Sequence, residues 1–350
     1  MNKGYVRLFT ILILLCAGIT GIAVFKNADT KEEVSENTIS DMTVIEPKEE
    51  PVTEPENLEP ELEKQLSAAE ILEQDTMKVS KKERVKVDLI IFAGQSNMAG
   101  FGGDASLAPK LTEGAGGEFR AVSNPTCLYT ITEPFGFYEN SPIMNDFYAK
   151  RGSLVTAFVN AYYQETGVPV VAVSASKGGM SSPYWASKPV CDEIVSRYRT
   201  AYDWLNSNGY QVRHKYLVFL QGENDVLEKI PMEQYLANMY QFSTALYHEG
   251  LDKFFMIRIG GTGSDDDLFT QIIDTQTELC RNNPNFVLAS TVLSAYKAKD
   301  MVDEYHYTQQ VLNDVGDDAG KNVGIFTNTW VEPSMYDYRY ENTYVPMKME

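Results

Sequence analysis

Residues 87–100 read Val87-Asp88-Leu89-Ile90-Ile91-Phe92-Ala93-Gly94-Gln95-Ser96-Asn97-Met98-Ala99-Gly100. A short apolar run stops at a glycine, and a polar cluster with a single serine follows. Such a run reads as a strand buried on both faces of a parallel sheet. In open α/β sheets, ligands bind beyond the carboxyl ends of the strands. Ser96 therefore stands where a nucleophile would be useful. Taken alone, the same residues also suit a plain turn.

The chain beyond this stretch alternates strands and helices. Ser153–Thr166 carries Leu154, Val155, Phe158, Val159 and Tyr162 at helical spacing, with Ser153 placed to cap it and Gly167 to stop it. Pro169–Ser174 reads as a second buried strand and runs into Ser176-Lys177-Gly178-Gly179-Met180. A helix over about 192–206 precedes a third strand, Tyr216–Leu220, which ends in Gln221-Gly222-Glu223-Asn224-Asp225. Pro231–His248 reads as helix, Phe254–Ile259 as a fourth strand, 267–280 as helix and Phe286–Ser290 as a fifth strand. Asp303-Glu304-Tyr305-His306 then stands at the mouth of a last helix reaching about Asp318. This alternation specifies right-handed crossovers and a parallel sheet covered on both faces.

Residues 101–151 show no period and follow directly on the Ser96 loop. Long irregular segments are usually functional, and this one is read as substrate-binding surface. The Tyr-rich end, Phe326–Glu350, is expected to pack back on the domain.

With 350 residues, the chain fits one α/β domain of about 250 residues plus non-globular extras. A net charge of −19 argues against nucleic acid and an anionic membrane surface as partners. Lys3 and Arg7 precede an uncharged apolar run, Leu8 to Phe25, long enough to span a bilayer. Residues 1–25 are thus expected to form an anchor with a cytoplasmic N-terminus and an exported body. No small-x-small site follows the run, which favours an uncleaved anchor over a signal peptide that would release the protein. Leu15 before Cys16 argues against lipidation. Residues 26–80, dominated between Asp29 and Glu63 by Glu, Pro, Thr and Ser, read as a solvated acidic linker, with a short helix expected within Leu66–Lys82. The domain proper is residues 81–350. Cys127, Cys191 and Cys280 are widely spaced and read as free thiols, not as a disulfide framework or a metal site. No cofactor is implied.

Polar clusters now fall at the ends of strands one, two and three and after strand five, and in a parallel sheet these ends share one rim. Ester hydrolysis needs a nucleophile, a base, a group that orients the base, and donors for the oxyanion. Ser96 fits the first. Of the three histidines, His214 precedes a strand beside Arg213 and Lys215 and reads as a solvated edge, while His248 closes a surface helix. His306 lies on the rim with Asp303 three residues before it, a spacing that can bring carboxylate to imidazole. A backbone N–H of the Gly178-Gly179 pair, the Asn224 amide and the Ser96 N–H are candidate oxyanion donors.

The set Gly94-Gln95-Ser96-Asn97, Gly178-Gly179, Gly222-Glu223-Asn224-Asp225 and Asp303-x-x-His306 resembles the four blocks of the SGNH (GDSL-like) hydrolase superfamily. Gly-Gln-Ser-Asn-Met in the first block, Gly179-Met180-Ser181 with Trp185 nearby, and Gln221-Gly222-Glu223 resemble the sialate O-acetylesterase and acetylxylan esterase group, carbohydrate esterase family six. The third block departs from that group, with Glu-Asn-Asp where Glu-Ser-Asp is common. The resemblance implies a flavodoxin-like three-layer α/β/α sandwich with a five-stranded parallel sheet, and metal-free removal of acetyl groups from sugar hydroxyls. Carried over by position, Ser96 is nucleophile, His306 base and Asp303 its partner. Ser96, Gly179 and Asn224 form the oxyanion hole, with Gly178 as the alternative to Gly179. Gln95, Gly178, Gln221, Glu223 and Trp185 are candidate substrate contacts. The leading expectation is an exported, membrane-tethered esterase acting on acetylated xylan, sialic acid or cell-wall glycan. A sugar O-acetyltransferase using the same acyl-enzyme and a catalytically inactive glycan-binding module are the alternatives.

Overall fold

A computed structural model describes residues 84–345 except 147, 265, 266, 341 and 342. The expected N-terminal anchor, the whole acidic linker and the short helix expected within Leu66–Lys82 lie outside the described residues. Among the described residues, no helix is long and apolar enough to cross a membrane.

The first strand, β1 (Val85–Gly94), is buried from Val87 onward, as a run with no polar alternation requires in the middle of a sheet. It ends directly at a short helix, α1 (Ser96–Ala99). Two short strands follow, β2 (Gly116–Phe119) and β3 (Leu128–Tyr129). Next come α2 (Val155–Thr166), β4 (Val170–Ser176), α3 (Ser182–Ala186), α4 (Lys188–Ser207) and β5 (Tyr210–Leu220). The second half comprises α5 (Glu223–Leu227), α6 (Met232–His248), β6 (Lys253–Ile257), α7 (Thr270–Asn282), β7 (Phe286–Ser290) and α8 (Gln309–Thr329). A small hairpin, β8 (Met335–Tyr336) and β9 (Tyr344–Val345), closes the chain.

The sheet runs β3-β2-β4-β1-β5-β6-β7, with all neighbours parallel except β2 and β3. Within it, β4-β1-β5-β6-β7 has the flavodoxin-like strand order, and the order reverses at β1. Helices α2 and α8 pack along each other as one layer, while α4, α6 and α7 form the other. The sheet has seven strands rather than the expected five, because the irregular segment 101–151 contributes β2 and β3 at one edge.

Two further expectations are corrected. Helix α8 runs eleven residues past the expected stop at Asp318, to Thr329. Gly316 and Gly320 are what lets this helix dock. A methyl group on either would come within 2.3 Å of the Leu154 or Phe158 carbonyl oxygen on the α2 side. Strand β5 begins at Tyr210, so His214 lies inside a strand and not on a solvated edge. Its ring is half-buried and stacks on Tyr216 with centroids 5.4 Å apart. Burial pushes the imidazole below its ordinary pKa. The polar half of β5 is tolerated because Arg213 pairs with Asp88, a fully buried carboxylate that also accepts from the Tyr162 hydroxyl at 2.6 Å.

Cys127, Cys191 and Cys280 are buried free thiols. The described part of the Tyr-rich end, up to Val345, packs back on the domain. The Asp337 carboxylate takes both terminal nitrogens of Arg258, at 2.6 and 2.9 Å, with both side chains almost wholly buried. Arg258 directly follows β6, so this pair fastens the hairpin to the carboxyl rim of the sheet. Asp337→Ala should leave Arg258 as an uncompensated buried charge and cost about 3–5 kcal/mol of unfolding free energy, measured by urea denaturation. A loss below about 1 kcal/mol, the size of a surface pair, would contradict the burial argument.

Candidate active site

The carboxyl rim at β1, β4 and β5 gathers the sequence-predicted residues around one cavity of about 200 Å³. Gln95, Ser96, Gly179, Glu223, Asn224 and His306 all line it. Ser96 opens α1, separated from the end of β1 only by Gln95, and it is 6% exposed. Gly179 stands in the turn after β4 at φ +71°, a left-handed conformation that glycine adopts without penalty. Asn224 comes from the start of α5, directly after β5. His306 enters from the loop before α8.

The His306 imidazole is held from behind. Its Nδ1 lies 2.7 Å from Asp303 Oδ2, while Asp303 Oδ1 accepts the backbone N–H groups of Tyr305 and His306, both at 2.9 Å. Partial burial pushes the Asp303 carboxyl up. The hydrogen bonds from His306 and the two backbone N–H groups outweigh it, leaving the group below the usual carboxylate range. An ionised carboxylate on Nδ1 fixes the tautomer, so that Nε2 is the nitrogen free to accept a proton.

Asn97, quoted from sequence as part of the first block but given no role there, joins the serine turn to the histidine loop. Its Nδ2 donates to the Tyr305 carbonyl at 3.0 Å and to Glu223 Oε1 at 2.8 Å, and its Oδ1 accepts the Tyr307 N–H at 3.3 Å. The two backbone groups flank His306, so one side chain grips the loop on both sides of the imidazole. Burial pushes the Glu223 carboxyl above its ordinary pKa, against the opposing pull of its hydrogen bonds and of His306.

The register of the glycine pair follows from a bond no sequence signal announced. The Gly178 N–H donates to Asp146 Oδ2 at 2.6 Å, and the Phe101 ring packs over Gly178. Gly178 is therefore occupied and buried, and Gly179 faces the cavity. Phe101, Leu227 and Tyr305 supply apolar wall that sequence reading also missed. The Phe101 ring lies 5.7 Å from the His306 ring. Among the described residues of the irregular segment 101–151, Phe101 is the one lining this cavity.

Three expected substrate contacts are corrected. Trp185 is 0% exposed, packed against Phe219 and Phe242, with its Nε1 donating to the Met180 carbonyl. Gln221 is 0% exposed and donates to the same carbonyl at 3.2 Å. Neither side chain can touch a substrate. Both instead hold the loop that carries Gly179. Gly178 is excluded as a contact for the reason given above.

Chemically, the cavity brings together a hydroxyl at the start of a helix, an imidazole backed by a carboxylate, and N–H donors from three strand ends. Among the described residues, no group of three or more His, Cys, Asp or Glu side chains could hold a metal ion.

Residues 86–323 match the family described as a carbohydrate esterase, sialic acid-specific acetylesterase. Among solved structures, the chain is similar to a protein from Arabidopsis thaliana, determined by X-ray at 1.6 Å, with a TM-score of 0.54 and 19% identity. That likeness covers 71% of this chain and 100% of the other, and it shows a shared fold. LAE5, an α/β hydrolase enzyme from the metagenome of Lake Arreo, Spain, stands further off, with a TM-score of 0.37 and 10% identity over 71% of this chain and 98% of its own. No match was found among curated proteins.

If Asn97 is the strut between the two loops, Asn97→Ala should free residues 302–307 locally. Loss of its hydrogen bonds should speed amide exchange there by about 10-fold or more, given about 1 kcal/mol net per bond. Unchanged exchange of the Tyr307 amide would show that other contacts hold the loop.

Proposed function

The chain belongs to the carbohydrate esterase family of sialic acid-specific acetylesterases, and on that premise we propose that it deacetylates sugars through an acetyl-Ser96 intermediate. As a member of that family it is a carboxylic ester hydrolase acting on acetylated carbohydrate. The observation that carries the mechanistic reading is the shared cavity of Ser96 and His306, with His306 Nδ1 bound to Asp303 at 2.7 Å.

Ser96 Oγ attacks the acetyl carbonyl carbon as His306 Nε2 takes the hydroxyl proton. The imidazolium that forms is stabilised by ionised Asp303. The oxyanion receives hydrogen bonds from the Ser96 and Gly179 backbone N–H groups and from Asn224 Nδ2. Collapse of this intermediate breaks the bond to the sugar oxygen, and His306 returns the proton to it. Water then attacks the acetyl-enzyme with His306 again as base, releasing acetate and restoring Ser96.

Acetylated xylan, sialic acid or cell-wall glycan is the proposed substrate, supported by the family and by the small, largely apolar cavity, which suits a short acyl group. Export to the outer face of a membrane, tethered through Leu8–Phe25 by way of the acidic linker, is the proposed location. It is supported by Lys3 and Arg7 ahead of the apolar run.

Purified protein should release acetate from at least one of these glycans, and Ser96→Ala should remove both that activity and labelling by a fluorophosphonate probe. Aryl-acetate turnover equal in wild type and Ser96→Ala would refute the assignment. Asp303→Asn should lower kcat by about 10³–10⁴-fold. Because the Asp303 carboxyl is held below the usual carboxylate range, its protonation should not shape the acid limb of kcat/KM within that range. An inflection there that Asp303→Asn abolishes would contradict the pairing.

A further inference from the structure

An oxyanion is served only by the nitrogen side of the Asn224 amide. Its Oδ1 is nearly the same size and would repel the developing charge, so the orientation of this amide matters to the reaction. We propose that Gln95 is the positioning residue that fixes the orientation, turning the Asn224 NH2 toward the cavity. The inference rests on Asn224 being an oxyanion donor.

The argument is one of hydrogen-bond polarity. The Gly222 N–H, which can only donate, reaches Gln95 Oε1 at 3.3 Å. The opposite side of that amide, Gln95 Nε2, therefore faces Asn224 and donates to its Oδ1 at 3.1 Å. Asn224 Nδ2 in turn donates to the Gly179 carbonyl, which can only accept, at 3.1 Å. The chain starts at an obligatory donor and ends at an obligatory acceptor, with two amides between them. Only one orientation of each amide satisfies all three bonds, and flipping either sets like poles together. Nδ2 carries two hydrogens, so one remains for the cavity that Asn224 lines.

Gln95 is well placed to enforce this. It is 2% exposed, and its backbone N–H donates to the Leu220 carbonyl at the end of β5 at 2.9 Å. Both sides of its amide are engaged within the protein. Its position beside Ser96 means that one turn carries the proposed nucleophile and sets the polarity of the donor. Gln95 was expected to touch substrate. The geometry points instead to action through Asn224.

The test is steady-state hydrolysis of an aryl acetate by the full-length protein and four variants. Asn224→Ala should lower kcat by about 10²–10³-fold. Gln95→Met, which keeps length but loses both polar atoms, should lower kcat at least about 10-fold with KM within about twofold. Because Gln95 acts only through Asn224, the double variant Gln95→Met/Asn224→Ala should lie within about twofold of Asn224→Ala alone. Losses that multiply, or a Gln95→Met effect confined to KM, would overturn the proposal in favour of direct substrate contact. Wild-type kcat in Asn224→Ala would overturn the oxyanion assignment itself. An impaired Asn224→Ala beside a wild-type Gln95→Met would overturn the relay alone. Gln95→Glu covers the case in which Gln95→Met does not fold. It keeps shape and the acceptor for Gly222 but can donate to Asn224 only when protonated. Its kcat relative to wild type should therefore rise as pH falls, and a ratio flat with pH would contradict the relay.

Discussion

Everything proposed for this site depends on two loops far apart in the chain being held together, and the Asn97 side chain is where they meet. Its amide takes the carbonyl of Tyr305 and the N–H of Tyr307, the two peptide groups on either side of His306. Backbone groups in a buried loop must find partners, and here the partner belongs to the turn that carries Ser96. Satisfying those groups and aligning serine with imidazole are thus the same event. The third bond of Asn97, to the buried carboxyl of Glu223, draws in the segment after β5.

On the other flank of Ser96, Gln95 makes the corresponding connection to Gly222 and Asn224. The serine is therefore bracketed by two amides, one facing the proposed base and one facing the proposed oxyanion donors. The parallel sheet makes this economical. Strands β4, β1 and β5 are adjacent, so the turns that follow them are neighbours whatever their separation in sequence. The irregular segment 101–151 adds to this frame at one edge, giving β2 and β3, the Asp146 anchor on Gly178 and the Phe101 wall.

Much of this was legible in the sequence where burial alone dictates pattern. The apolar runs Leu89–Ala93, Pro169–Ser174 and Phe286–Ser290 read as buried strands, and the polar clusters that follow strands read as falling on one rim. What was hidden depended on contacts between distant segments. Strands β2 and β3 are too short and, in Gly116-Gly117, too poor in side chains to show a period. The first half of β5 reads as solvated because of Arg213 and Lys215, whose partners, Asp88 and Asp252, lie in other segments of the chain. The glycines of α8 look like breakers until α2 is laid against them. Trp185 and Gln221 stand near the expected motifs but face inward, since motif proximity carries no information about which way a side chain points. The choice between Gly178 and Gly179 turned on a carboxylate 32 residues away, for which nothing local gave a sign.

The central claim is that the hydroxyl of Ser96 becomes acylated during turnover. The most direct measurement is peptide mapping by mass spectrometry of protein quenched in acid while hydrolysing an acetate ester in excess. The account predicts one acetyl group, on the peptide containing Ser96 and on the serine oxygen itself. An acetyl group found reproducibly on another side chain, with Ser96 unmodified while turnover continues, would contradict it.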